Sequence, residues 1–250
     1  MKRIMIALIL IFLFSPVLLP RPEPVMGWGL SFPKEGQPPA APQPAAKLRE
    51  LGGAYLDEDG GKVLYLTFDL GYENGYTAQI LDVLKELEIP AAFFVTGDYL
   101  DRAADLVRRM TAEGHIVGNH TENHPDMTKL DGDAFRAELT AVEEKYSAVT
   151  EQTLPKFFRP PQGVYDENTL RQAQAAGYQT VFWSLAYADW DNDRQPNPDE
   201  AVEKLNRRIH DGAVVLLHGT SKTNAEILHR LLSGWQDMGY RFEPITELFR

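Results

Sequence analysis

Two histidines four residues apart, His120 and His124, sit in the stretch Gly118-Asn119-His120-Thr121-Glu122-Asn123-His124. On a helical turn that spacing puts both rings on one face, where two neutral imidazole nitrogens suit one divalent metal ion. Three further stretches each end an apolar run with a chemically competent polar residue: Asp69 after Leu66-Thr67-Phe68, Arg159 after Phe157-Phe158, and His218 after Val215-Leu216-Leu217. A carboxylate at the end of a largely buried strand needs a partner or a function, because an unpaired buried charge is expensive. Arg159, whose backbone is restricted by Pro160 and Pro161 behind it, offers a guanidinium fork that would keep Asp69 ionised and aimed as a general base. Asp189, flanked by Trp183, Tyr187 and Trp190, is the natural partner for raising the pKa of His218 so that this ring can donate a proton.

One metal, one base carboxylate with an orienting arginine, and one acid histidine with an aspartate partner make a kit for metal-assisted hydrolysis of an amide or ester. Asp69 would take the proton of water and His218 would protonate the leaving nitrogen. A backbone N–H at Gln162 or Gly163, released by the Pro-Pro-x-Gly turn, would stabilise the oxyanion. Tyr72, Trp183, Tyr187 and Trp190 offer stacking surfaces for sugar rings. His210 and His229 fall in helical stretches and read as solvated, and His115 reads as a packed polar residue beneath the site.

The elements that must position these residues alternate. Apolar, β-rich runs at residues 62–68, 91–95, 115–119, 156–158, 179–184, 213–217 and 240–242 read as strands. Stretches with helical periodicity separate them at 76–87, 99–112, 131–149, 166–176, 198–210 and 222–238. About seven strands alternating with helices imply an α/β fold with a parallel sheet, either a distorted (β/α) barrel or an open doubly wound sheet. Asp69, His120, Arg159, Asp189 and His218 fall at or just beyond the C-terminal ends of strands from five different units, and that placement favours the barrel.

Composition narrows the classes. The chain has 250 residues, 44% hydrophobic, with a net charge of −11, which argues against a nucleic-acid binder. Cysteine is absent, so a metal must be held by His and carboxylate, and no Cys nucleophile is available. Lys2 and Arg3 precede an apolar run from Ile4 to Leu19, so residues 1–20 read as an export signal, either cleaved or kept as a membrane tether. The expected location is therefore extracytoplasmic, in the cell wall or on the outer face of the membrane. Residues 21–55 read as a Pro/Gly-rich linker and N-terminal extension, in which Trp28, Leu30 and Phe32 alternate as a docking segment would, and 56–250 as the catalytic domain.

Thr67-Phe68-Asp69-x-Gly71, His120-Thr121-x-x-His124, Arg159-Pro160-Pro161-x-Gly163, Asp189-Trp190 and Leu216-Leu217-His218 follow the order and spacing of the polysaccharide deacetylases of carbohydrate esterase family 4, with their NodB-type domain, and the chain from about Lys62 onward resembles that family. Asp69-Leu70-Gly71-Tyr72-Glu73-Asn74-Gly75-Tyr76-Thr77 and residues 184–190 look like its delta-lactam-biosynthetic branch, which deacetylates N-acetylmuramic acid of peptidoglycan on the way to the muramic lactam of spore cortex. The resemblance implies a distorted (β/α) barrel with Asp69 as base, Arg159 orienting it, His218 as acid supported by Asp189, and His120 and His124 as metal ligands. It also implies Leu216 in the acetyl-methyl pocket, peptidoglycan glycan strands as the partner, and dependence on an upstream peptide-stripping amidase. Most of the family has a second aspartate directly after the base as third metal ligand, and this chain has Leu70. The expected metal is therefore a weakly held divalent ion, zinc first among the choices. Three alternatives stand beside this reading: deacetylation of N-acetylglucosamine in peptidoglycan or chitin-like glycans, a non-catalytic glycan-binding module, and a glycosidase using Asp69 and Asp189.

Overall fold

Val63–Leu70 is the strand around which the other elements assemble, and every one of its residues is buried. Side chains alternate across it. Leu64, Leu66, Phe68 and Leu70 meet the apolar faces of the helices Thr77–Glu86 and Lys222–Asp237 through Ile80, Leu81, Leu84, Leu228 and Leu231. Val63 and Tyr65 point the other way, into a second cluster with Ala92, Phe94, Val181 and Val214. Thr67 and Asp69 continue this inward row toward the C-terminal end of the strand.

The computed structural model describes residues 24–250. Ala213–His218 lies parallel along one edge of Val63–Leu70 and Ala91–Val95 along the other, followed in order by Ile116–Asn119, Phe157–Phe158, Gln179–Val181 and Gly53–Ala54. A parallel bridge between Leu185 and Val215 and an antiparallel one between Leu56 and Ala213 draw the far side back to the start. The result is a distorted, incompletely closed barrel of seven parallel strands with helices outside. Arg241–Phe242 adds a short parallel pairing at Val63 and Leu64.

Several elements differ from the sequence expectation. The strand expected over 179–184 stops at Val181, after which Phe182 and Ser184 bond to Ala54 and Val214 in irregular backbone. The helix expected over 99–112 is two: Thr96 Oγ1 accepts from Tyr99 N–H, so Gly97–Arg102 forms its own short helix before Ala104–Ala112. Gly53–Ala54 and the helix Ala45–Glu50 lie in the stretch whose composition suggested a linker. Their apolar residues Ala45, Leu48, Leu51 and Tyr55 are buried with Trp28 and Phe182.

Trp28 decides how that stretch sits. Its ring stacks on Phe182 at 4.2 Å, its indole N–H donates to Trp183 O at 2.8 Å, and only 5% of it is exposed. An aromatic ring of this size buried with its polar handle satisfied holds residues 26–32 as a strap against the barrel. The expected export signal at residues 1–20 lies outside the described residues, among which no helix is long and apolar enough to cross a membrane. His210 corrects an expectation: the helix Pro198–Arg208 ends before it, and the ring is buried with Nε2 at 2.9 Å from Ser184 Oγ. His115 is packed, with its ring edge-on to Phe93, and His229 is exposed near Glu86.

Candidate active site

The C-terminal ends of the strands open on a cleft of about 650 Å³ lined by Asp69, His120, His124, His218 and Leu216, with Tyr72, Gln162, Gly163, Trp183, Tyr187 and Trp190 around them. Arg159 and Asp189 lie beneath it, fully buried. All thirteen residues proposed from the sequence are thereby brought to one place.

Asp69 and Arg159 form the buried centre. Arg159 Nη1 donates to Asp69 Oδ1 at 2.7 Å, Nη2 to Thr67 Oγ1 at 2.9 Å and Nε to Val181 O at 2.9 Å, while its guanidinium lies over the Phe94 ring at 4.2 Å. With a longer contact from Nη2 to Phe182 O at 3.4 Å, the expected two-pronged fork on Asp69 is thus divided among four acceptors. One carboxylate oxygen is held and the other, Oδ2, stays available, 3.6 Å from His120 Nε2. Burial alone pushes the Asp69 carboxyl up, but the Arg159 guanidinium, with His120 and His218, outweighs it and holds the group below the usual carboxylate range. Asp69 is therefore ionised at neutral pH, the state a general base requires.

His120 follows the strand Ile116–Asn119, and His124 comes from the loop after it. The two rings stand 4.8 Å apart, edge to face, but no helical turn carries them. Thr121 and His124 both adopt left-handed backbone, with φ of 69° and 55°, so the chain doubles back within four residues and reaches the juxtaposition that a helix was expected to supply. Asn119 supports the doubling by accepting from Thr121 N–H and donating to Leu139 O and Tyr178 Oη. His120 Nδ1 donates to Arg159 O at 2.8 Å, which fixes the tautomer and leaves the Nε2 lone pair facing Asp69 Oδ2. Burial depresses the pKa of His120 to about 4, so this ring is neutral at physiological pH.

Two imidazoles with a carboxylate oxygen beside them fit a divalent ion of borderline softness such as zinc. The fit is loose. Among the described residues no three His, Cys, Asp or Glu side chains are gathered closely enough to cage an ion. Leu70, where a further carboxylate would help, turns to the helix side of its strand: its Cδ2 fills the space above Gly219, 2.1 Å from the point that a Cβ on that glycine would occupy.

His218 stands opposite. Its Nδ1 bonds to Asp189 Oδ1 at 2.8 Å, and its backbone N–H donates to Asp189 Oδ2 at the same distance. Nδ1 is thereby the protonated nitrogen and Nε2 faces the cleft. Burial works against charge on this ring, but Asp189 outweighs it and raises the pKa above the ordinary histidine value, so the protonated form extends to higher pH. Sequence reasoning missed the residue that fixes this pair. Asn224, completely buried in the first turn of the helix Lys222–Asp237, donates to Asp189 Oδ2 at 2.6 Å and to His218 O at 3.0 Å, and accepts from Tyr187 Oη. No spacing signal marks it, because an asparagine near a helix start reads first as capping chemistry. Thr67, Trp28, Leu30 and Phe32 were likewise not assigned to the site: Thr67 supports Arg159, and the other three line the cleft.

Of the two expected oxyanion donors, Gly163 N–H is spent on Pro160 O at 3.1 Å. Gln162 remains. It sits in left-handed backbone, with φ of 57°, and among the described residues its N–H has no acceptor. Trp190, 60% exposed, stands edge-on to His218 with ring centroids 6.0 Å apart, and Tyr72 is exposed across from it, bonded to Asn192. Asp189→Asn should shift the alkaline limb of the pH–rate profile downward by about one unit and lower kcat by roughly 10²-fold. The sign follows from the raised pKa: the acid form of His218 is present below it and lost above it, and removing Asp189 brings that loss to lower pH. An unchanged alkaline limb would show that His218 is not the acid.

The sequence from residue 57 to 181 matches the family model described as polysaccharide deacetylase. The peptidoglycan-N-acetylmuramic acid deacetylase PdaA of Bacillus subtilis is 40% identical over 228 residues, covering 91% of this chain and 87% of that protein. The solved structure of PdaA, a family 4 carbohydrate esterase, superposes with a TM-score of 0.85 over 90% of this chain and 96% of the other, at 39% identity. A peptidoglycan-N-acetylglucosamine deacetylase of Bacillus cereus is 31% identical over 189 residues, covering 74% of this chain and 67% of that protein.

Proposed function

This chain belongs to the polysaccharide deacetylase family, and from that premise we propose that it hydrolyses the N-acetyl group of N-acetylmuramic acid in peptidoglycan, toward the muramic delta-lactam of spore cortex. The observation that carries the chemistry is the opposition, across one cleft, of an ionised Asp69 held by Arg159 and a proton-bearing His218 held by Asp189. A binding site has no use for an acid and a base tuned in opposite directions. A two-carboxylate glycosidase would leave His120 and His124 without a role. The choice of muramic acid over glucosamine is supported by the PdaA likeness, in sequence and in fold.

The reaction follows from the residues. Asp69 Oδ2 accepts the proton of the attacking water, and Arg159 keeps that carboxylate ionised and oriented throughout. Gln162 N–H donates to the oxyanion as the carbonyl carbon becomes tetrahedral. His218 Nε2–H then protonates the amine nitrogen, and the C–N bond breaks to release acetate. Leu216 packs against the acetyl methyl, and Trp190 and Tyr72 flank the sugar. His120 and His124 would hold a divalent ion, which would supply Lewis-acid polarisation of the carbonyl and the water.

The basic flank and apolar run at residues 2–19 support an exported protein acting in the cell wall. Its glycan strands would already be stripped of stem peptides, which implies an upstream amidase. The test is acetate release by the purified protein from peptide-free peptidoglycan strands, with chelator and with zinc restored. Release from muramic acid residues that stops with chelator and returns with zinc is expected. Release only from glucosamine residues overturns the substrate, release indifferent to chelator removes the metal, and no release from folded protein overturns the activity.

A further inference from the structure

Arg208 is a cation in a cleft whose other functions are already assigned. It ends the helix Pro198–Arg208, and its half-buried side chain lines the cleft that holds Asp69 and His218. Phe32 and Arg208 also line a neighbouring hollow of about 390 Å³, so the pair forms a wall between the two spaces. The guanidinium lies over the Phe32 ring at 4.3 Å, and Nη1 donates to Ala186 O at 2.6 Å. These two contacts fix its position, and among the described residues the remaining N–H groups have no acceptor.

Among the described residues no carboxylate pairs with this charge, although Glu35, Glu200 and Glu203 line the neighbouring hollow. Arg207, its neighbour, pairs with Glu35, whereas among the described residues no Asp or Glu lies within ion-pairing distance of Arg208. Burial depresses its pKa, as expected of a guanidinium withdrawn from water with no anion beside it. Holding an arginine this way is unfavourable unless an anion arrives from outside, because a half-buried cation without a counter-charge keeps its desolvation penalty.

Its location selects the anion. Ala186, which anchors the guanidinium, directly follows Leu185, whose carbonyl accepts from Leu216 N–H at 2.9 Å, and Leu216 is the residue assigned to the acetyl methyl. The cation is therefore tied to backbone adjoining the acetyl pocket. In N-acetylmuramic acid the carbon next to the acetamide carbon carries the lactyl ether, whose carboxylate is the only charge on a peptide-free residue. N-Acetylglucosamine lacks it, and an attached stem peptide converts it to a neutral amide.

We propose that Arg208, held against Phe32 and Ala186, is a specificity-determining residue that binds the free lactyl carboxylate of muramic acid. The inference rests on the muramic acid reading above. It supplies a physical reason for the substrate to be peptide-free: the reaction that prepares it must be hydrolysis of the lactyl–peptide amide, which creates the carboxylate that Arg208 binds. It also assigns the strap a function, since the Phe32 ring packs against the guanidinium.

The test is calorimetric binding to the intact protein of three tetrasaccharides in which an unreactive methanesulfonamide replaces the acetamide. One carries muramic acid with a free lactyl carboxylate, one its lactyl methylamide, and one only glucosamine. The wild type should bind the carboxylate form about tenfold or more tightly than the other two. Arg208→Gln should erase that preference and Arg208→Lys should retain part of it, with binding of the glucosamine form unchanged. A folded Arg208→Gln that keeps the preference overturns the inference and leaves the muramic acid reading standing. A wild type that does not distinguish carboxylate from methylamide overturns it without any substitution, so the answer does not depend on the variant folding. Acetate release from muramic acid strands decides the underlying reading separately.

Discussion

Asp69→Asn should lower kcat for acetate release by about 10²–10⁴-fold, the range for loss of a positioned general base. The amide has the shape of the carboxylate, and its oxygen can still accept from Arg159 Nη1 at the present Oδ1 position. What changes is the other arm. Oδ2, now an acceptor 3.6 Å from His120 Nε2, becomes an N–H donor aimed at that lone pair. The substitution therefore removes the proton acceptor and occupies the nitrogen best placed to ligate zinc, so zinc affinity should fall together with kcat. Binding of the sulfonamide strand analogues, which needs no proton transfer, should change by less than about threefold, since Tyr72, Trp190, Leu216 and Arg208 are untouched. The pH profile offers a second readout. Because Arg159 and the neighbouring histidines hold the Asp69 carboxyl below the usual range, the wild type should lose activity on acidification only well below neutrality, and this limb should vanish from the residual rate of the variant. A folded Asp69→Asn with more than a tenth of wild-type activity would remove Asp69 from the base role.

Much of this arrangement was legible in the sequence because strands announce their own ends. The row Leu64, Leu66, Phe68 and Leu70 facing the helices leaves Thr67 and Asp69 on the inner face, and His218 ends a strand buried along nearly all its length, so period-two alternation alone directs these side chains into the barrel mouth. Other features depend on contacts that no local pattern encodes. The His120–His124 juxtaposition is made by two left-handed residues in a loop, and neither threonine nor histidine advertises that conformation as glycine would. Asn224 is polar, near a helix start and apart from every motif, yet it ties both oxygen-bearing halves of the His218–Asp189 pair to Tyr187. Residues 26–32 look like linker because Pro and Gly dominate their surroundings. The burial of Trp28 depends on Phe182 and Trp183, more than 150 positions away. Arg208 was invisible for the same reason, since a helix-terminal arginine reads as favourable to the helix dipole until its lack of an acid partner is seen in three dimensions.

Arg159→Met should destabilise the fold by about 3–5 kcal/mol at neutral pH, the range for breaking a buried ion pair from one side. Methionine fills much of the space between Phe94 and Trp183, so a cavity is the smaller part of the effect. The larger part is electrostatic. Asp69 would keep its burial and lose the nearest cation, while Val181 O and Thr67 Oγ1 would each lose a donor. The pH dependence separates these terms. In the wild type the Asp69 carboxyl lies below its unfolded value, so its stabilisation is present above the unfolded pKa and fades as pH falls through the folded one. In the variant burial dominates and the folded pKa rises above the unfolded one, so the charge penalty grows as pH rises through the new value. The stability gap between the two proteins should therefore narrow on acidification below about pH 4, where the unfolded carboxyl is itself protonated. Asp69→Asn combined with Arg159→Met removes both charges and should recover at least about 1 kcal/mol of the loss at neutral pH, although it restores no activity. Denaturant unfolding of the four proteins at two pH values measures all of this. A single-variant loss below about 1 kcal/mol, or a double variant less stable than the sum of the singles, would show that the pair does not carry the buried charge balance on which the base depends.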